Sequence, residues 1–208
     1  MSKKESKEKR IEDVLVAAMD VFIEKGYENA SMNEIAIRAG ISKGGLYHHF
    51  LSKDMVLLYA NQKLMEPCMA MLDAAKENSS AVEGIKTYIH DYLGYWIERK
   101  KELIFFSMSM TKAMSHMDIF KMYERYTEDY ITSFVELFKK GMQSGEFKLS
   151  NAKGSAVALM SSLDGLIIYM ALDKKLKLDE MVGYFIEVFL KPLYNINNNE
   201  GKGENHAE

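Results

Sequence analysis

Apolar residues recur at steps of three and four along nearly the whole chain, and that spacing admits one kind of architecture. Ile11, Val14, Leu15, Ala18 and Phe22 fall on a single stripe only if the backbone is an α-helix. No stretch alternates with the period of two that a half-buried strand requires, and no internal repeat is present. Two prolines in 208 residues leave long helices almost uninterrupted. The pattern specifies an all-α protein.

Serines and glycines punctuate the pattern. Gly26 is expected to end the first helix as a left-handed cap. Ser31-Met-Asn-Glu34 has the form of a capping box, opening a short helix that Gly40 stops. Ser42 caps the next helix, over residues 43–50. Ser52 caps a long one, over residues 53–76, in which Pro67 predicts a kink or break. Ser80-Ala-Val-Glu83 is a second capping box and opens a helix to about residue 99. Further helices are expected over residues 101–114, 118–144, 152–172 and 179–193. Gly145 closes the second of these and a lysine-rich connector precedes the last. From Asn195 onward the chain is polar and rich in Asn and Gly, the composition of a disordered tail.

With 48% apolar residues the remainder can bury a substantial core. The single cysteine, Cys68, excludes an internal disulfide and a multi-thiolate metal centre, and fits a reducing, cytoplasmic compartment. The charged opening MSKKESKEKR makes a poor signal peptide. Residues 154–172 carry one charge, Asp164, near their middle, where a carboxylate costs about 3 kcal/mol in lipid. That segment reads as a helix at a core or interface, with no membrane as partner. Net charge is −3, and residues 1–53 are net +1 against −4 for the rest. Any nucleic-acid site must therefore be local.

One constellation is that local. Two short helices flanking Ala39-Gly-Ile-Ser42 make a helix-turn-helix. Gly40 permits the turn, Ile41 tucks it against the core, and Leu46 and Phe50 anchor the second helix. The other face of that helix carries Lys43, Gly44, Gly45, Tyr47, His48 and His49. These are small or hydrogen-bonding groups that fit a major groove about 12 Å wide. Adjacent glycines near a helix start cost about 1 kcal/mol each relative to alanine. Close approach of the backbone to DNA accounts for that cost; a simple loop at Gly44-Gly45 is the competing reading. The adjacent histidines point about 100° apart on a helix, a poor geometry for one metal, and no cofactor is expected. No catalytic triad, metal cluster or phosphate loop suggests an enzyme.

The ordered run Ile11, Ala18, Phe22, Gly26-Tyr27, Ser31-Met32, Ile35-Ala36, Ala39-Gly40-Ile41-Ser42-Lys43-Gly44, Leu46-Tyr47, His49-Phe50 and Lys53 resembles the N-terminal domain of TetR-family transcriptional regulators. It covers residues 9–58. The runs Lys140-Gly141…Gly145-Glu146-Phe147 and Leu163-Asp164-Gly165-Leu166 are weaker matches to the same family. The resemblance implies a DNA-binding domain over residues 1–53, a helical ligand-binding and dimerisation domain over 54–194, and a tail over 195–208. Carried onto this sequence, it implies that Ser42, Lys43, Gly44, Gly45, Tyr47, His48 and His49 lie against bases or phosphates. Ser31 and Asn33 would meet the DNA backbone, and Lys53, at the start of the fourth helix, would meet a phosphate. Arg38 is equally read as a backbone contact or a solvated charge.

Residues 88–130 concentrate aromatics and methionines, side chains that line adaptable apolar pockets and ordinary cores alike. With the resemblance, Tyr92, Trp96, Phe106, Met110, Tyr126, Tyr130 and Asp164 become candidates for contact with a small hydrophobic effector. Ala156, Leu159, Met160, Leu163, Ile167 and Met170, then Met181, Phe185, Val188 and Phe189, form apolar stripes on the last two helices. In the family such helices make the dimer contact. The implied function is a homodimeric regulator, a repressor released from a palindromic double-stranded operator by its effector. A helical carrier or enzyme without DNA binding is the alternative.

Overall fold

The computed structural model describes residues 3–195. Among them are nine α-helices and no strand. They are α1 Lys3–Asn29, α2 Met32–Arg38, α3 Lys43–His49, α4 Lys53–Glu77, α5 Ala81–Ile97, α6 Lys100–Ser115, α7 Met117–Gln143, α8 Ala152–Leu172 and α9 Leu178–Phe185. Phe147 and Tyr194 form an isolated antiparallel bridge. The chain divides into two compact units: Met1–Glu66 with Arg99–Tyr126, and Pro67–Glu98 with Thr127–Glu208. α6 belongs with the first unit, and the cut within α4 falls at Pro67.

In the first unit α1 packs on α2 and α6, and α2 packs on α3. Val14, Leu15, Ala18 and Phe22 of the α1 stripe are buried, and the Phe22 ring stacks on Phe105 of α6 at 6.2 Å. Gly26 departs from helical geometry with φ 74° and ψ 160°, a region open essentially to glycine. The regular helix ends at this glycine, as expected, and one further helical turn to Asn29 follows the kink. Between α4, α6 and α7 lies a buried polar cluster that the sequence pattern does not reveal. The Ser109 hydroxyl is 2.7 Å from both Asn61 Oδ1 and the Tyr123 hydroxyl, and Asn61 donates to the Leu57 carbonyl at 2.9 Å.

The second unit is held at its corners by side chains remote in sequence. Glu146 reaches the start of α5, accepting from the Ala81 amide at 2.9 Å and from the Ser80 hydroxyl. Lys140 donates to the carbonyls of Lys76, at 2.8 Å, and Asn78, at the end of α4. Gly141 leaves room for Phe147: a Cβ there would lie 2.7 Å from Phe147 Cε2. Gly145, at φ 77°, closes α7 in a Schellman motif, with the Glu146 amide on Gly141 O at 2.8 Å. The Lys140–Phe147 run is thus a clamp on the α4–α5 corner.

Four expectations require correction. Of the kink or break expected at Pro67, the break does not occur: α4 continues through it. Only half of the second capping box forms. The Glu83 amide donates to Ser80 Oγ, but the Glu83 carboxylate pairs with Lys86, and Asn78 Oδ1 takes the Ser80 amide. The last helix is not regular: after Phe185 the backbone takes a π turn over Ile186–Leu190 and a 3₁₀ turn over Lys191–Leu193. Pro192 supplies no amide to the helical ladder and its ring crowds the preceding turn, so the register is lost there. Asn195 belongs to the fold, its amide donating to Glu146 O at 2.9 Å. The rest of the expected tail, residues 196–208, lies outside the described residues.

The stripe assigned to a subunit contact on α8 is internal. Ala156, Leu159, Leu163, Ile167 and Met170 are all buried within the chain, and α8 packs on α5. α8 is apolar around its whole circumference, so its outward face also carries large apolar groups: Val157, Ile168, Tyr169 and Leu172. Tyr184 and Val188, further along the chain, are exposed as well.

Candidate nucleic-acid interface

The helix-turn-helix forms as its residues dictate. Ser31 and Glu34 complete both halves of the capping box at α2: the Glu34 amide donates to Ser31 Oγ at 3.2 Å, and the Ser31 amide to Glu34 Oε2 at 3.0 Å. Gly40, at φ 66°, ends α2 in a Schellman motif, with the Ile41 amide on Ala36 O at 3.0 Å and the Gly40 amide on Ile37 O at 3.1 Å. The chain then turns at once into α3, where Ser42 Oγ accepts from the Gly45 amide at 3.0 Å. Leu46 is fully buried, and Phe50, also buried, meets the Tyr59 ring edge-on at 5.5 Å. One face of α3 is thereby pinned and the other left outward.

That outward face carries the expected groups. Lys43, Gly44, Tyr47 and His48 are exposed, and Gly45 and His49 are half-buried. The Lys43 ammonium lies along the helix, 6.0 Å from the Tyr47 ring. The two glycines are not equivalent. A Cβ at Gly44 would meet nothing within 4 Å, whereas at Gly45 it would approach Ser42 Oγ at 3.2 Å and crowd the cap. Ser31 and Asn33 are exposed at the start of α2, although the Ser31 hydroxyl is engaged with Glu34. Met32, beside them, is buried.

Two basic residues already have partners within the chain. Arg38 grips the Glu24 carboxylate through both terminal nitrogens, one at 2.7 Å. The Lys53 ammonium donates to the carbonyls of Tyr27 at 2.6 Å, Glu28 at 3.2 Å and Ala30 at 2.9 Å. It also sits 4.3 Å from the Tyr27 ring centre. The sequence gives no sign of this arrangement, because the acceptors are backbone atoms more than twenty residues away.

The candidate effector residues are split by the fold. Tyr92, Trp96, Tyr130 and Asp164 belong to the second unit; Phe106, Met110 and Tyr126 belong to the first and are half-buried. In the second unit Tyr88, Tyr92, Trp96, Tyr130 and Phe134 form one buried aromatic cluster, with Tyr88 stacked on Tyr92 at 5.4 Å and edge-on to Phe134 at 4.9 Å. The hydroxyls of Tyr88 and Tyr130 are bonded to each other. Tyr92 donates to Asp164 Oδ1 at 2.7 Å. Burial pushes the Tyr88 and Tyr92 phenols well above their ordinary range. The Asp164 residue is exposed along α8, but its carboxyl turns inward. Desolvation raises its pKa, and the Tyr92 hydrogen bond works against that rise. Tyr88 and Phe134 were not among the sequence candidates, although both lie on the same aromatic stripes.

A pinned, glycine-opened second helix behind a tight turn defines a helix-turn-helix DNA-binding protein. Residues 14–60 match the profile of the bacterial regulatory proteins of the tetR family, and residues 101–195 that of the QacR-like protein C-terminal region. The chain belongs to the TetR family and is a ligand-responsive, DNA-binding transcriptional regulator. Among similar proteins, the Transposon Tn10 TetC protein of Escherichia coli is 26% identical over 176 residues, 83% of this chain and 85% of that one. The HTH-type transcriptional activator FasR of Mycolicibacterium smegmatis is 36% identical over 98 residues, 43% of this chain and 45% of that one. In fold, the chain is similar to the transcriptional regulator FadR from Bacillus subtilis, solved in complex with stearoyl-CoA. The TM-score is 0.72 at 18% identity, covering 88% of this chain and 98% of that one. The fatty acid degradation regulator FadR from Bacillus halodurans gives 0.73 at 20% identity, with the same coverage of each chain.

Proposed function

We propose that the protein is a cytoplasmic homodimeric repressor. It reads a palindromic operator through α3 of each subunit and leaves it when a small hydrophobic molecule binds. In this reading residues 1–53 do the DNA recognition and residues 54–194 the sensing and dimerisation. Lys43, Gly44, Gly45, Tyr47, His48 and His49 face the major groove and its flanking phosphates, and Ser31, Asn33 and Ser42 meet the backbone. The observation that carries this reading is Gly44: it is exposed, and a Cβ added there would meet no other part of the fold within 4 Å. Internal packing therefore does not require a glycine there, and close approach by an external surface does.

Dimerisation is supported by the exposed apolar face of Val157, Ile168, Tyr169 and Leu172 with Tyr184 and Val188. A two-fold dimer that reads successive major grooves needs its two α3 helices about 34–36 Å apart. The effector reading draws on the buried aromatic cluster around Tyr92, Trp96 and Tyr130, and on the long-chain acyl thioester held by one protein of the same fold. Phe106, Met110, Tyr126 and Asp164 remain candidate contacts.

The test is fluorescence anisotropy with the duplex upstream of the protein's own gene. Wild type is expected to bind with a steep salt dependence, and Gly44→Leu to fold normally and lose at least about tenfold in affinity, one well-made base contact. Normal binding by Gly44→Leu would refute the assignment of α3. Trp96, the only tryptophan, reports the effector: stearoyl-CoA is expected to change its fluorescence and to release the duplex. A promoter fusion gives the sign of regulation, with rising expression on deletion of the gene expected for a repressor and falling expression for an activator.

A further inference from the structure

Lys53 is the first residue of α4, where a cation faces the positive end of its own helix dipole. Its side chain leaves that end and crosses to the far end of α1. After the Gly26 kink, the turn through residues 27–30 leaves three carbonyls without helical partners of the usual kind, and Lys53 Nζ lies 2.6–3.2 Å from all of them. An ammonium has three N–H donors, so three carbonyls saturate it. The neighbouring residue completes the grip: the Tyr27 hydroxyl donates to Asp54, while the Lys53 ammonium lies over the Tyr27 ring. A second ammonium, Lys112 of α6, sits 4.7 Å from the same ring centre and pairs with Glu28. Tyr27 is thus the point at which α1, α4 and α6 are fastened.

Only Phe50, Leu51 and Ser52 separate α3 from α4. Fixing the start of α4 therefore fixes the C-terminal end of α3. We propose that Lys53 is a positioning residue and not a phosphate ligand: by tying α4 to the end of α1 it sets the attitude at which α3 meets DNA. This rests on α3 being the reading helix.

Two measurements on the full-length protein test it. In anisotropy across a range of NaCl concentrations, Lys43→Ala is expected to flatten the slope of log affinity against log salt by about 0.9, one phosphate contact. Lys53→Met is expected to weaken binding about tenfold or more at every salt concentration and leave the slope as in wild type. Lys53→Arg, which can still donate to the carbonyls, is expected to recover part of the loss. A slope flattened by about 0.9 in Lys53→Met would make Lys53 a phosphate ligand and overturn the proposal. Unchanged affinity would reduce Lys53 to a stabilising contact and overturn it as well. The second measurement needs no DNA: acetic anhydride labelling of the free protein, read by mass spectrometry. Lys53 is expected to react at least about tenfold more slowly than exposed Lys43, and to speed up in Tyr27→Ala. Equal rates in wild type would show that the anchor does not exist. If wild type bound no duplex, the DNA-reading assignment would fall, and these rates would still decide the anchor.

Discussion

The helices of the reading head are capped from within their own segments, whereas in the second unit remote side chains are added to the local caps. α2 and α3 carry their caps within three residues of their own starts, at Ser31–Glu34 and Ser42–Gly45, and α2 ends on its adjacent Gly40. α5 has its own cap in Ser80, but Glu146, more than sixty residues away, takes the Ala81 amide as well, and Lys140 holds the end of α4. Local caps fix the ends of two short helices, and buried Ile35, Leu46 and Phe50 pin them to the unit. Remote caps make each corner depend on the whole unit. Such an arrangement can be biased when something binds inside it.

The largest expected effect probes the remote side. A Cβ on Gly84 of α5 would sit on the backbone carbonyl of Ala75 in α4, and its nearest carbon is 3.1 Å away. Backbone cannot swing aside as a side chain can, so Gly84→Ala should cost about 3 kcal/mol, read as a fall in denaturant midpoint. A loss under about 0.5 kcal/mol would mean that the corner yields easily, and the contrast would lose its force.

Next is Glu146. Burial acts to raise its pKa, but hydrogen bonds from Ser80, Ser144 and the Ala81 and Val82 amides outweigh it and hold the carboxyl below its usual value. A group depressed in the folded state stabilises fully above its unfolded pKa, about 4.3. That contribution is lost as pH falls through the folded value. Glu146→Gln should therefore be less stable than wild type at pH 7, by about 1 kcal/mol after solvent screening. The gap should begin to narrow as pH falls below about 4.3 and close once pH has passed through the lower, folded value. Thermal melts from pH 7 to 3 measure it, and a gap that persists at pH 3 would assign the effect to shape and not charge.

Ser42→Ala sharpens the local side. It should cost about 1 kcal/mol, the usual value of an N-cap, and fray only the start of α3, read by amide hydrogen exchange at Gly45. Smallest is Gly44→Ala, with the opposite sign: nothing opposes its Cβ and helix propensity favours alanine, so stability should rise by up to about 1 kcal/mol while DNA affinity falls. A loss of stability would show that Gly44 serves the fold.

The same contrast explains how much of the molecule was legible in its sequence. The capping box at Ser31, the glycine turn at Gly40 and the Ser42 cap are short-range chemistry, and they appear at the residues that the pattern named. The second capping box was half misread because Glu83 had a nearer partner in Lys86 and Glu146 a better hold on α5. The α8 stripe was read for the wrong surface because a helix apolar on every side has no single face for periodicity to find. The aromatic candidates were legible as a group. Their division between two units was not, because residue spacing within a helix carries no record of which neighbour the helix meets.

By itself the sequence determined the helical class, the recognition helix and its outward face, since each depends on groups within about one turn of each other. Only the tertiary structure decided that Lys53 is occupied by the carbonyls of Tyr27, Glu28 and Ala30, and that Glu146 caps α5. Main-chain acceptors have no residue type, and hydrogen bonds between distant segments exist only once packing has brought their ends together.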